Sequence, residues 1–180
     1  VGYFPESAYW CAFDSPIPQY LPVYIRSRWT DMNQLNGLQD HVLFSSGWEW
    51  GYWLNDVATL RMNWQVPGDY CDTIADILTP IDEPDLAPAI CALAEVQHEA
   101  LIVDRMAPWT ASLDAAMAAG ANLDIVAQPL RPDFDALTPD DREIADRLDA
   151  LADDTEAIWS TLSDSDDPWV EEVRDGMEID

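Results

Sequence analysis

The stretch His41-Val42-Leu43-Phe44-Ser45-Ser46-Gly47-Trp48-Glu49-Trp50-Gly51-Tyr52-Trp53-Leu54-Asn55-Asp56 is where the chain changes character. Before it, short apolar runs alternate with Pro and Gly. His41–Ser45 is short, β-branched or aromatic, and bounded by breakers, which predicts a strand. Tyr20–Ile25 predicts a second strand on the same grounds, and Pro5, Pro16, Pro18 and Pro22 exclude long helices here except at first turns. Ser27–Gln39 has room for one short helix ending at Gly37.

After the stretch the periodicity becomes helical. Trp53, Val57, Leu60 and Trp64 recur at i, i+4, i+7 and i+11, which predicts one buried helix face. Tyr70, Ile74 and Leu78 predict the next helix. Leu86, Ile90, Leu93, Ala94 and Leu101 predict a longer one. Pro108 can open another, with Trp109, Leu113 and Met117 inward and Gly120 as its C-cap. Thr138-Pro139-Asp140-Asp141 is a start signal: an N-capping Thr, Pro at the first helical position and acids in the first turn. The helix it opens carries Ile144, Leu148, Leu151, Ile158 and Leu162 on one side, with Glu143 and Arg147 as an i,i+4 pair. The segment Ser163–Pro168 breaks it, leaving room for a last short helix. The expected fold is mainly α. A strand-and-loop aromatic segment spans 1–52, and an antiparallel helical bundle spans 53–180.

Composition divides the chain along almost the same line. Fifteen of its nineteen aromatic residues lie in the first 70 positions. Those positions carry seven acids and three Arg, against 28 acids and five Arg beyond them, so the net charge of −27 is −4 plus −23. Lys is absent. Such an acidic surface repels nucleic acid and anionic membranes, so neither is expected as a partner. No continuous apolar run approaches the ~20 residues that cross a bilayer, so no membrane insertion is expected. Hydrophobic residues make up 48% of the chain, enough for a packed core. The three Cys (Cys11, Cys71, Cys91) lack metal-type spacing and leave two arrangements open: one disulfide with a free thiol, or three buried thiols. The opening Val1-Gly2-Tyr3-Phe4 reads like the inside of a fold, and the chain reads as a portion of something larger.

The aromatic stretch carries the candidate chemistry. Sugar C–H faces pack on indole rings while their hydroxyls seek carboxylates and amides beside them. Trp48, Trp50, Tyr52 and Trp53, with Asn55 and Asp56, offer both, and define a candidate substrate-binding surface. If residues 48–52 are extended, Trp48, Trp50 and Tyr52 share a face. The alternative is that these rings fill the junction between strands and bundle. Glycoside hydrolysis needs two carboxyls; Glu6 and Glu49 are the candidate catalytic residues. Glu95-x-x-His98 has the spacing of a di-iron helix motif, but its second copy is missing. Asp164-Ser165-Asp166-Asp167 lacks the Gly and distal Glu of a calcium loop. No metal and no cofactor is expected.

Between His41 and roughly Leu101 the chain resembles the barrel end and following helical region of glycoside hydrolases of the α-glucuronidase, hexosaminidase and O-GlcNAcase type. The resemblance rests on Val42–Ser45 as strand, Gly47–Trp53 as a Trp-bearing loop and Asp56–Trp64 as helix. The turn Met62-Asn63-Trp64-Gln65-Val66-Pro67-Gly68-Asp69-Tyr70 then precedes the helix Thr73–Leu78. It covers about a third of the chain. It implies that the segment 1–52 is the end of a TIM-type barrel, that the Trp48–Trp53 loop walls a sugar subsite and that the acid and base sit mainly on earlier barrel strands. A full barrel needs eight strands and ~250 residues, so the implied partners are a carbohydrate and the missing barrel polypeptide. Such a setting favours a periplasmic or extracellular location. The rival readings are a non-catalytic module that binds protein or glycan, and a structural acidic helical domain.

Overall fold

In a computed structural model of the chain, residues 2–5, 20–43, 52–106, 111, 118, 139–162 and 167–179 are described. The protein is mainly helical. Two short strands, β1 (Gly2–Tyr3) and β2 (Asp40–His41), pair in parallel with Gly2 opposite Asp40 and Tyr3 opposite His41. Between them lies α1 (Val23–Gln34). Then come α2 (Tyr52–Met62), α3 (Tyr70–Leu78), two 3₁₀ turns (Thr79–Ile81 and Pro84–Leu86), and α4 (Ala87–Gln97), which continues as a π-helical stretch over His98–Met106. Further along are α5 (Pro139–Trp159) and α6 (Pro168–Ile179). The chain forms two compact units, Val1–Glu95 with Thr155–Asp180, and Val96–Asp154. The boundary expected at 52/53 falls inside the first of these.

The core of the first unit is made by α1, α2 and α3, which pack on one another, together with apolar residues of α4 and α6. Val23 and Ile25, then Ile74 and Leu78, then Ile90, Leu93 and Ala94, are buried, as are Val170, Val173 and Met177. The stripes read for the helices at Tyr70–Leu78 and Leu86–Ala94 are the buried ones. Asp69 caps α3 by accepting from the Cys71 N–H at 2.9 Å, and a Cys71–Cys91 disulfide ties α3 to α4. This resolves the open cysteine arrangement for two of the three thiols; Cys11 lies outside the described residues.

Three local expectations are corrected. Tyr20–Ile25 is not a strand. Pro22 stands at the N-cap of α1, the Tyr24 N–H donates to the Leu21 carbonyl at 3.1 Å, and the Ile25 N–H donates to Pro22 at 2.9 Å. Burial of Val23 and Ile25 against the other helices outweighs their β propensity. The helix ends at Gln34, and Gly37 follows it at φ +70° in the linking turn.

The second correction concerns α2. The helix is where expected, but its face is turned. Leu54, Ala58 and Met62 are buried with Asn55 and Thr59, whereas Val57, Leu60 and Trp64 are 41%, 53% and 87% exposed. Leu54, Ala58 and Met62 also satisfy i, i+4, i+8. Ala58 and Thr59, whose hydroxyl donates to the Asn55 carbonyl at 2.7 Å, allow a closer approach than the larger side chains on the other face.

The third concerns length. Pro84–Val103 is a helical run of 20 residues with mean hydropathy 1.4, long and apolar enough to cross a membrane by length and composition. The individual apolar runs are short, and the 3₁₀ turn, α4 and the π-helical stretch join them. Ile90, Leu93 and Ala94 of this run are buried inside the protein, as in the core helix of a folded domain. Composition alone does not distinguish the two cases. In the second unit, Arg147 and Glu143 pair at 2.6 Å as the i,i+4 spacing predicts. Of the helix expected from Pro108 to Gly120, Ala111 and Ala118 are described, and both are helical; Trp109, Leu113, Met117 and Gly120 lie outside the described residues.

Candidate functional site

A polar cluster of the first unit gathers where β1, β2, α1 and the end of α2 meet. The parallel register sets Tyr3 opposite His41, so both side chains leave the same face of the strand pair, and their rings stack with centroids 5.1 Å apart. Below them α1 presents Arg28 and Asp31 one turn apart. The Tyr3 hydroxyl donates to Asp31 Oδ2 at 2.5 Å, Arg28 donates to the Tyr3 oxygen at 3.3 Å, and Arg28 pairs with Asp31 at 3.6 Å. The guanidinium also lies 5.5 Å over the Tyr24 ring. Beyond the C-terminal end of α2, the turn that returns the Trp64 N–H to the Arg61 carbonyl at 3.0 Å brings Asn63 Oδ1 to His41 Nδ1. Trp64 stands next in sequence, its ring in solvent.

The protonation states follow from these contacts. Burial, reinforced by the bond to Asp31, pushes the Tyr3 phenol up to about 12, so it is a hydrogen-bond donor at neutral pH and not a phenolate nucleophile. Burial and then the charge of Arg28 hold His41 below its ordinary value, so at neutral pH its imidazole is uncharged. With the Nδ1 proton donated to Asn63, Nε2 keeps the lone pair; that atom is buried and makes no hydrogen bond among the described residues. Arg28 and Asp31 cancel in charge. The cluster is therefore polar and locally near neutral, a character suited to hydroxyl recognition more than to anion binding.

Two further groups fix the neighbouring helices. The Tyr70 hydroxyl donates to Glu95 Oε1 at 2.6 Å, and Arg26 pairs with the same oxygen at 3.1 Å; burial, then the bond to Glu95, raises the Tyr70 phenol. Glu95 thus serves an internal network, and no group of three metal-ligating residues occurs among the described residues. Trp29 donates from Nε1 to the Pro67 carbonyl at 3.0 Å and leans on Tyr70.

The residues predicted for sugar contact are distributed unevenly. Trp48, Trp50, Glu6 and Glu49 lie outside the described residues, and Tyr52 opens α2. Trp53 is half-buried: its ring lies 4.8 Å from that of Trp169 on α6, and its Nε1 donates to Glu172 at 2.7 Å. Asn55 is buried and donates to the Leu21 carbonyl at 3.3 Å. Asp56 is half-buried, with Oδ1 enclosed and without a partner among the described residues. Trp53 therefore joins α2 to α6, and Asn55 joins α2 to the segment ahead of α1. Tyr3, Arg28, Asp31 and His41 were not singled out from sequence, because their meeting depends on strand pairing. Asn63 and Trp64 carry a readable signal in the Asn-Trp turn ahead of Pro67.

No family model, no curated protein and no solved structure matches this chain.

Proposed function

We propose that the chain is the C-terminal portion of a glycoside hydrolase-like, carbohydrate-active protein, to which it contributes an aromatic sugar-contacting surface, with the chemistry completed by strands outside these 180 residues. The observation that carries this reading is the placement of Trp64, 87% exposed, next to Asn63, which is bonded to His41 beside the near-neutral Tyr3–Asp31–Arg28 group. Trp64 supplies an exposed flat apolar face, and Asn63, directly before it in the sequence and held by His41, supplies an amide, the two kinds of group that a sugar ring needs. Trp48, Trp50 and Glu49 extend the same composition along the sequence. Glu6 and Glu49 stay as candidates for a carboxyl role within the completed site. The disulfide agrees with an oxidising location such as a periplasm or the cell exterior.

The test is quenching of Trp fluorescence by neutral oligosaccharides (cello-, chito- and xylo-oligomers) on the wild type and on Trp64→Ala, Trp48→Ala and Trp50→Ala. Loss of sugar-dependent quenching in these variants with helical circular dichroism retained is the expected result. Absence of any sugar response in the wild type, or a response untouched by all three substitutions, refutes the reading.

A further inference from the structure

Sugars differ in charge, and a charged one makes its own demand on the surface that binds it. A carboxylate, sulfate or phosphate is recognised best by Arg, or by Lys as a point charge. The chain has no Lys. Four of its eight Arg fall in the first unit, against 22 acids, which leaves that unit at −18. All four are described, and each is engaged within the unit. Arg26 pairs with Glu95 at 3.1 Å. Arg28 pairs with Asp31 at 3.6 Å, donates to the Tyr3 oxygen and lies over the Tyr24 ring. Arg61 pairs with Asp76 at 3.5 Å, and Arg174 lies 4.9 Å over the Trp159 ring. His41 is the unit's one His; burial and then the charge of Arg28 keep it uncharged at neutral pH. The unit's sequence contains no other basic side chain.

We infer that the sugar taken at the Asn63–Trp64 surface carries no carboxylate, sulfate or phosphate, and that anionic sugars are rejected because the arginines of the first unit are already paired. The inference rests on the sugar-binding part of the proposed function and deepens it by naming the substrate class. Two effects act together. The acidic surface repels an anion as it approaches. An anion that arrives must displace the carboxylate that a guanidinium already holds, as Asp31 is held by Arg28 and Asp76 by Arg61, and that carboxylate then loses its partner. A sugar without anionic groups meets neither obstacle. Its ring faces can pack on Trp64, 87% exposed, and its hydroxyls need only uncharged partners.

Trp fluorescence quenching tests it on the 180-residue chain. The probes are cello- and chito-oligomers, each beside its C6-carboxylate counterpart of the same length. At an ionic strength of about 0.01 M charges act over about 30 Å, and the carboxylate oligomers should bind at least about 10-fold more weakly than the neutral ones. At about 0.15 M the range falls to about 8 Å and the gap should narrow. Asp76→Asn supplies an independent reading. Asp76 is exposed, so the change spares the core, and it releases Arg61 one turn ahead of Trp64. The variant should bind the carboxylate oligomers about 2–5-fold more tightly at low ionic strength and the neutral ones as the wild type does. Carboxylate oligomers bound as tightly as neutral ones by the wild type, or no selective gain in Asp76→Asn, overturns the inference and leaves the sugar surface standing. No response to any of the oligomers removes the sugar surface and the inference with it.

Discussion

The Cys71–Cys91 disulfide gives the sharpest test of the first unit's architecture. It joins α3 to α4 across a sequence separation of 20, with Cα atoms 5.9 Å apart. If it stabilises by restricting the unfolded chain, closing a loop of this size removes about 11 cal/mol/K of entropy, or about 3 kcal/mol at 25 °C. For a protein of this length that corresponds to a melting temperature lowered by roughly 6–12 °C when the bond is lost. The measurement is urea denaturation followed by far-UV circular dichroism on a Cys11→Ser background, comparing the oxidised protein with Cys71→Ser/Cys91→Ser. The midpoint should fall by about 3 kcal/mol divided by the urea m-value, with native helix content retained before the transition. A loss below about 1 kcal/mol would show that α3 and α4 are already held together in the unfolded ensemble, contrary to the chain-entropy argument. Alkylation of both thiols in the unreduced native protein would refute the pairing itself.

Other substitutions probe the packing and the polar cluster. Leu54→Ala should destabilise by about 2–5 kcal/mol and Leu60→Ala by no more than about 0.5 kcal/mol; the reverse order in chemical denaturation would mean that α2 buries its other face. Gly176 sits within α6, where an added Cβ would lie 2.7 Å from Tyr20 Cβ. Gly176→Ala gains about 1 kcal/mol in helix propensity but forces apart two backbone-anchored atoms, at about 1–3 kcal/mol, so a net loss is expected in thermal melts and a stabilised variant would contradict the contact. His41 is held below its ordinary value, so folding favours its neutral form. The stability this gives is present above about pH 6.5 and is lost as pH falls through the lower folded value. Relative to His41→Gln, the wild type should therefore weaken between pH 7.5 and pH 5 in denaturant titrations; parallel profiles would show that Arg28 and burial do not act on the imidazole.

Much of the helical part was legible because its signals are local. Pro139 at the start of α5 and the Glu143–Arg147 spacing act within a turn or two of chain. The repeats through Tyr70–Leu78 and Leu86–Ala94 have a single consistent apolar side, so period and burial agree. Helix α2 shows where such reading fails. Trp53, Val57, Leu60 and Trp64 form one stripe and Leu54, Ala58 and Met62 another, and bulk favours the first. Packing chose the second, since small residues at Ala58 and Thr59 let the neighbouring helices close. The strand expected at Tyr20–Ile25 failed for a related reason: β-branched and aromatic residues suit a half-buried sheet or a buried helix turn equally well, and the side chains they meet decide.

The polar cluster belongs to a different class of information. Tyr3, Arg28, Asp31, His41 and Asn63 are spread over 61 positions, and of these only Asn63, in the Asn-Trp turn, carries a readable signal. They meet because a parallel strand pair sets Tyr3 against His41, a helix places Arg28 and Asp31 a turn apart, and a turn after α2 returns Asn63 to the strands. Each step is a tertiary event. The aromatic richness of the N-terminal half was visible, but its division of labour was not. Trp29 and Trp53 direct their N–H groups to Pro67 and Glu172 and join elements, whereas Trp64 keeps its ring in solvent. Composition counts these three as equals. What separates them is whether a partner lies within reach of the indole nitrogen and face, and that same test marks Trp64 as the described aromatic residue most available to a ligand.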